Sequence, residues 1–205
     1  MIAALYVQKN GAYFGDANVD PWDETRDARL YAGPHAVVAH PPCARWCALA
    51  ALVEKWIGFK QGDDAGCFDA ALRVVRTFGG VLEHPANSRA FAAHGLPAPK
   101  KGGWQPTPCG GWVCHVAQWH YGHAAAKGTW LYVHGVAQRD LPALNFEPPG
   151  KTAARVGPRD GCSKRSLKDA EASRTPPAFK AILLDIAKSA EAAQRFKKRA
   201  RPQQE

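Results

Sequence analysis

Apolar positions along the chain fall into short continuous runs separated by stretches of helical period. Ile2 to Val7 reads as a first strand, and Ala36-Val37-Val38-Ala39 as a run of the kind buried in a parallel sheet. Between them, Gly11 to Pro34 is acidic and turn-rich. Two prolines in His40-Pro41-Pro42-Cys43 can neither extend a ladder nor sit inside a helix, so the chain leaves the sheet there in a stiff loop. Residues 44 to 57 carry Trp46, Leu49, Ala50 and Val53 at helical spacing. Cys67 to Phe78 repeats the pattern with Phe68, Ala71, Leu72 and Val75, and Gly79-Gly80 ends it. Val81-Leu82 then leads into Glu83-His84-Pro85.

Further on, residues 97 to 122 are rich in Gly, Pro and Trp with little period, which predicts an irregular loop or insertion. Thr129 to Val133 restores a strand, and Leu141 to Arg159 reads as linker. Thr175 as cap and Pro176 at the first helical position open a last helix, with Phe179, Ile182, Leu183, Ile186, Ala190 and Ala193 along one stripe. The alternation predicts an α/β domain over residues 1 to 150, with 151 to 205 a basic linker and helix packed on it. In open α/β sheets ligands bind beyond the carboxyl ends of the strands, so Cys43 and Glu83 are expected in one crevice.

Composition and charge narrow the function classes. The chain has 205 residues, 46% of them hydrophobic and 22% charged, enough for a core of its own. Its longest apolar stretches fall well short of a membrane span, and the first residues lack the basic lead and cleavage site of a signal peptide. A cytoplasmic protein is expected. The net charge of +9 is uneven: residues 1 to 150 hold 13 Lys/Arg and 12 Asp/Glu, and residues 151 to 205 hold 14 and 6. A cationic C-terminal segment favours a polyanionic partner, DNA first. Six cysteines in a chain that needs no disulfides are expected as free thiols, leaving metal binding or nucleophilic catalysis as their chemistry.

At Ala39-His40-Pro41-Pro42-Cys43 and Val81-Leu82-Glu83-His84-Pro85 the sequence resembles the Pro-Cys loop and Glu-Asn-Val segment of DNA cytosine-5 methyltransferases, in the same order. A third piece, Tyr121 to Leu131, is similar in placement to that family's Gln-x-Arg-x-Arg strand entry, with Lys127 where an Arg is usual. The resemblance implies a Rossmann-like, methyltransferase-type sheet and the catalytic set Cys43, Glu83 and Lys127. A thiolate adding to carbon 6 of a flipped cytosine activates carbon 5, and a carboxyl against ring nitrogen 3 and the exocyclic amine recognises the base and stabilises the charge. His40, Pro42, Arg45, Arg89, Lys100 and Lys101 would contact base or phosphates. S-adenosyl-L-methionine is the implied donor, with Tyr13, Gly15 and Asp20 the candidate contacts. Here Asn10 to Gly15 departs from the family's Phe-x-Gly-x-Gly, which suggests a shortened relative of the compact kind that phage genomes encode, working in the host cytoplasm.

Other chemistries compete. A zinc staple could use Cys109, Cys114, His120 and His123, though their spacing is not standard. The nucleobase deaminase signature has its motifs in another order, and thymidylate synthases carry a Pro-Pro-Cys turn much deeper in the chain. A relative that binds DNA without catalysis, or a zinc-stapled nucleic-acid-binding protein, are the alternatives to an enzyme.

Overall fold

A computed structural model of the protein describes residues 1–47, 50, 60–150, 155–156, 166–167, 171 and 173–200. The helix expected over 44 to 57 lies largely outside the described residues, as do Cys162 and the final five positions.

Seven strands form one mixed sheet. They are β1 (Ile2–Leu5), β2 (Val19–Trp22), β3 (Val37–Ala39), β4 (Gly80–Pro85), β5 (Gln105–Pro106), β6 (Trp112–Ala117) and β7 (Gly128–His134), in the order β2-β1-β3-β4-β7-β6-β5. The first four run parallel, β7 is antiparallel to β4, and β6 and β5 continue the antiparallel half. Strands β1 and β3 are buried on both faces, which is why they read as unbroken apolar runs. A separate short pair, β8 (Arg155–Val156) and β9 (Ser166–Leu167), is parallel.

Helix α1 (Cys67–Phe78) and the short α2 (Arg89–Ala93) cover one face of the sheet, where Phe68, Leu72, Val75 and Phe91 meet Leu5, Leu82 and Tyr132. Helix α3 (Pro177–Ala200) covers the other, packing Phe179, Leu183, Ile186 and Ala190 against Val38, Val81 and Leu131. The expected stripe on α3 is therefore its core face. The helix begins one residue later than its Pro-Pro signal suggests. The Pro176 carbonyl accepts from the Lys180 N–H, leaving Pro177 in the first position, where a missing N–H costs nothing.

Two expectations are corrected. Residues 97 to 122 are not an irregular insertion, because they supply β5 and β6, and β6 pairs with β7 along its whole length. Composition hid a six-residue strand whose Val113, Cys114, Val116 and Ala117 are buried. The acidic stretch before Pro34 likewise contains β2, an edge strand whose Pro21 is tolerated because no further strand pairs beyond it.

Gly79 and Gly80 both take positive φ and turn the chain sharply from α1 into β4. A side chain at Gly80 would overlap the Val37 carbonyl on β3. Gly80→Ala must therefore part the strands that carry Cys43 and Glu83. It is expected to cost more than about 3 kcal/mol, read as a lowered denaturant midpoint.

Candidate active site

The chain steps from β1 outward to β2, then returns to place β3 on the other side of β1. That reversal is a topological switch point, and the carboxyl ends of β1, β3 and β4 frame the crevice beside it. Strand β3 ends in His40-Pro41-Pro42-Cys43, and β4 carries Glu83 near its end. Both expected residues thus emerge from neighbouring parallel strands.

Cys43 opens a turn in which its carbonyl accepts from the N–H groups of Trp46 and Cys47. The turn is anchored by Trp46, which is buried and donates its indole N–H to Asp64 at 2.8 Å. The half-buried Cys43 thiol is pushed up by burial and by the negative charge of Glu83, with Lys127 acting in the opposite sense. At rest it is a protonated thiol, and Lys127 is the cation that favours its thiolate. Lys127, itself held below the usual lysine range by burial against the pull of Glu83 and Cys43, donates to the carbonyls of Ser173 and Arg174, both at 3.0 Å. Three side chains named for catalysis therefore share one electrostatic neighbourhood.

Glu83 is the centre of a hydrogen-bonded chain drawn from five segments. The Tyr13 hydroxyl lies 2.8 Å from His40 Nε2, and His40 Nδ1 lies 2.9 Å from Glu83 Oε2. Burial, then the Glu83 charge, push Tyr13 ionisation far up, so its hydroxyl donates to Nε2 and leaves the Nδ1–H to donate to the carboxylate. On the other side Gln118 Nε2 donates to Glu83 Oε1 at 3.1 Å and to Thr129 Oγ1 at 3.0 Å. Burial opposes ionisation of Glu83, but the His40 hydrogen bond and the cationic neighbours hold the carboxyl below its usual range. Gln118 is fully buried at the end of β6, and sequence reasoning missed it. Its only signal was a polar residue directly following the apolar Val116-Ala117.

His84, the next residue on β4, points to the opposite face. It is fully buried against Phe68, and neither ring nitrogen has a hydrogen-bond partner. Burial pulls its pKa down to about 4, with the Glu83 charge only partly offsetting the effect. A folded value below the unfolded one means that stability is full above pH 6.5 and is lost as pH falls toward 4. From about pH 7 to about pH 5 this group should cost about 2 kcal/mol. His84→Leu should remove that component from the pH dependence of unfolding.

The remaining candidates are dispersed. Arg89 is exposed at the start of α2, and its N–H bonds the Trp46 carbonyl, so it stands beside the Cys43 turn. Arg45 is half-buried in that turn and also engaged. Lys100 and Lys101 are exposed in the segment before β5. Pro42 is exposed and faces a cleft of about 550 Å³ at the carboxyl ends of β1 and β2, lined also by Tyr6, Val7, Asp23, Glu24 and Cys67. Tyr13 lies under His40 instead, and Asp20 is paired with Arg26 and with the Trp22 indole, so neither lines that cleft; nor does Gly15.

The proposed zinc ligands are not gathered. Cys114 is buried under α3, whereas Cys109 is exposed in the β5–β6 turn and accepts from Arg76 at 3.1 Å. His120 Nε2 lies 2.8 Å from the Glu147 carbonyl, and His123 is bound to the Ala125 backbone. Among the described residues, no group of three or more His, Cys, Asp or Glu is arranged to hold a metal ion. Cys43, Cys47, Cys67, Cys109 and Cys114 are free thiols. No helix among the described residues is long and apolar enough to cross a membrane. Comparison of the chain with protein-family models, with curated proteins and with solved structures finds no match.

Proposed function

We propose that this protein is a DNA cytosine-5 methyltransferase-like enzyme with a Rossmann-like sheet. One observation carries the reading: Cys43 and Glu83 leave the carboxyl ends of adjacent parallel strands and act on each other electrostatically, with Lys127 opposite in sign to both. The Cys43 thiolate adds to carbon 6 of a flipped cytosine, and the displaced electron pair is taken up by the ring toward nitrogen 3, next to Glu83. Carbon 5 then accepts the methyl group and releases its proton, and the sulfur–carbon bond breaks to restore the ring.

The cleft beside β1 and β2 fits a nucleoside-bearing donor. Tyr6 offers a flat aromatic edge, Asp23 and Glu24 offer carboxylates for ribose hydroxyls, and Pro42 adjoins Cys43. S-adenosyl-L-methionine would supply the methyl group there. Arg89 and Arg45, on the Cys43 side of the sheet edge, supply cations for phosphate contacts.

A binding-only relative is the second reading, favoured by a resting thiol and by a Glu83 carboxylate already bonded at both oxygens. The two readings separate in covalent trapping on long duplex DNA substituted with 5-fluorodeoxycytidine, in the presence of S-adenosyl-L-methionine. An enzyme forms a denaturation-resistant adduct. A protein that binds this DNA but forms no adduct is the binding-only relative.

A further inference from the structure

Lys127 is held at both ends. Its φ of 34° lies in the left-handed region that residues with a side chain rarely adopt. Its ammonium donates to the carbonyls of Ser173 and Arg174 ahead of α3, while its own carbonyl accepts from the Gln118 N–H at 3.2 Å and from the Thr129 hydroxyl at 3.1 Å. The Gln118 N–H thereby carries the β6–β7 pairing one residue past Ala117 and Gly128. Having given its proton to Lys127, the Thr129 hydroxyl can only accept from Gln118, and the Glu83 carboxylate also only accepts. Both contacts need an N–H, so the Gln118 amide has one orientation open to it, and its Oε1 is left buried with no partner. A left-handed lysine and an orphaned acceptor are two separate costs at one joint. Such costs persist where the surroundings over-determine them, and they gather at functional sites.

We propose that Gln118 and Thr129 are positioning residues: they tie the Glu83 carboxylate to the Lys127 backbone, so that the cation and the carboxylate of this site are held as one rigid unit. The proposal rests on the reading of Cys43, Glu83 and Lys127 as the reacting set given above. The sheet order makes the bracket possible, because β7 lies between β4 and β6. Leu131 stands opposite Glu83, and Thr129, two residues before it on β7, points to the same face. From there its hydroxyl reaches Gln118 on one side and the Lys127 carbonyl on the other. Neither Gln118 nor Thr129 acts on the sulfur or the base directly. Each fixes where a charge sits, so that little reorganisation is needed when the sulfur adds.

The first test reads Cys43 itself, through the pH dependence of its alkylation by iodoacetamide in the full chain, followed on the Cys43 peptide by mass spectrometry. The charged and titratable groups that act on this thiol are Glu83, Cys47 and Lys127, and only Lys127 favours the thiolate. Lys127→Met therefore sets the full effect of losing the cation, a raised midpoint. Thr129→Val keeps the strand and the volume but can neither donate to Lys127 nor accept from Gln118. It should move the midpoint in the same direction, by about half a pH unit or a threefold loss of alkylation at fixed pH, while Thr129→Ser stays at the wild-type value. A folded Thr129→Val with the wild-type midpoint overturns the proposal. The second test is adduct formation on 5-fluorodeoxycytidine DNA with S-adenosyl-L-methionine. Thr129→Val and Gln118→Met, which cuts the line at its Glu83 end, should each be about ten- to a hundredfold slower with DNA affinity within about twofold, and Thr129→Ser should restore the rate. A wild-type rate in Gln118→Met overturns the proposal as well. A wild type that forms no adduct overturns the enzyme reading instead, and the alkylation series then decides the bracket alone.

Discussion

Cys43→Ala should reduce covalent capture of 5-fluorodeoxycytidine DNA at least about a thousandfold, to background, while leaving DNA affinity within about twofold. The two effects separate because they come from different parts of the molecule. The sulfur forms the bond on which the rest of the reaction depends, and no neighbouring group replaces it. Cys47 is the nearest sulfur in sequence, but it is one turn further along and its thiol hydrogen bonds to the Ala44 carbonyl. DNA affinity comes mainly from cations outside the crevice. The fold should tolerate the change, since Cys43 is half-exposed and Trp46 holds the turn through Asp64. Loss of binding in parallel with loss of the adduct would mean that Cys43 serves the shape of the loop instead of the chemistry.

Glu83→Gln should lower the rate of adduct formation by about 10²- to 10³-fold, the usual cost of removing one group that stabilises developing charge. Its structural effect should be smaller. The new carboxamide can accept from His40 Nδ1–H with its oxygen. Its amide then faces Gln118, which must flip so that its carbonyl faces the incoming amide. The flip gives the buried Gln118 Oε1 a partner and costs the Nε2 bond to Thr129 Oγ1. The acid side of the stability profile should change too. Glu83 titrates below its usual value in the folded protein, so its ionised form adds stability above pH 4.5 that is lost as pH falls through the folded value. Glu83→Gln should flatten that acid loss. Denaturant midpoints across the acid range, beside trapping rates near neutrality, would separate the two roles.

The parts of this fold that were legible in the sequence are those whose residues announce their own geometry. Helix α1 is bounded as its period and its glycine pair indicate, and β3 and β4 follow from apolar runs that end at a Pro-Pro turn and a Glu-His-Pro. These three elements by themselves place Cys43 and Glu83 at a common sheet edge. Strand β2 escaped because Val19-Asp20-Pro21-Trp22 is held by backbone pairing with β1, which leaves no side-chain pattern. Strand β6 escaped for another reason: its cysteine and histidine invited a metal reading, and its flanking glycines looked like loop. Gly111 is there because its α-carbon lies against the Val133 carbonyl, where a side chain would collide. The site was half legible for the same reason. His40 and Glu83 are 43 residues apart and Gln118 a further 35, so only the sheet order brings them into one chain. Such partners carry no local mark.

The two-proline loop after β3 has a consequence for how two ligands meet. Pro42 faces the cleft at the ends of β1 and β2, and Cys43, one peptide later, acts on Glu83 in the crevice beside it. Pro42 on the cleft and Cys43 beside Glu83 are consecutive residues, held one peptide apart. The backbone freedom of this loop is already reduced by the proline rings, so it loses little entropy when the cleft is filled. The spacing between the cleft's edge at Pro42 and the Cys43 sulfur is therefore set by covalent geometry and two proline rings.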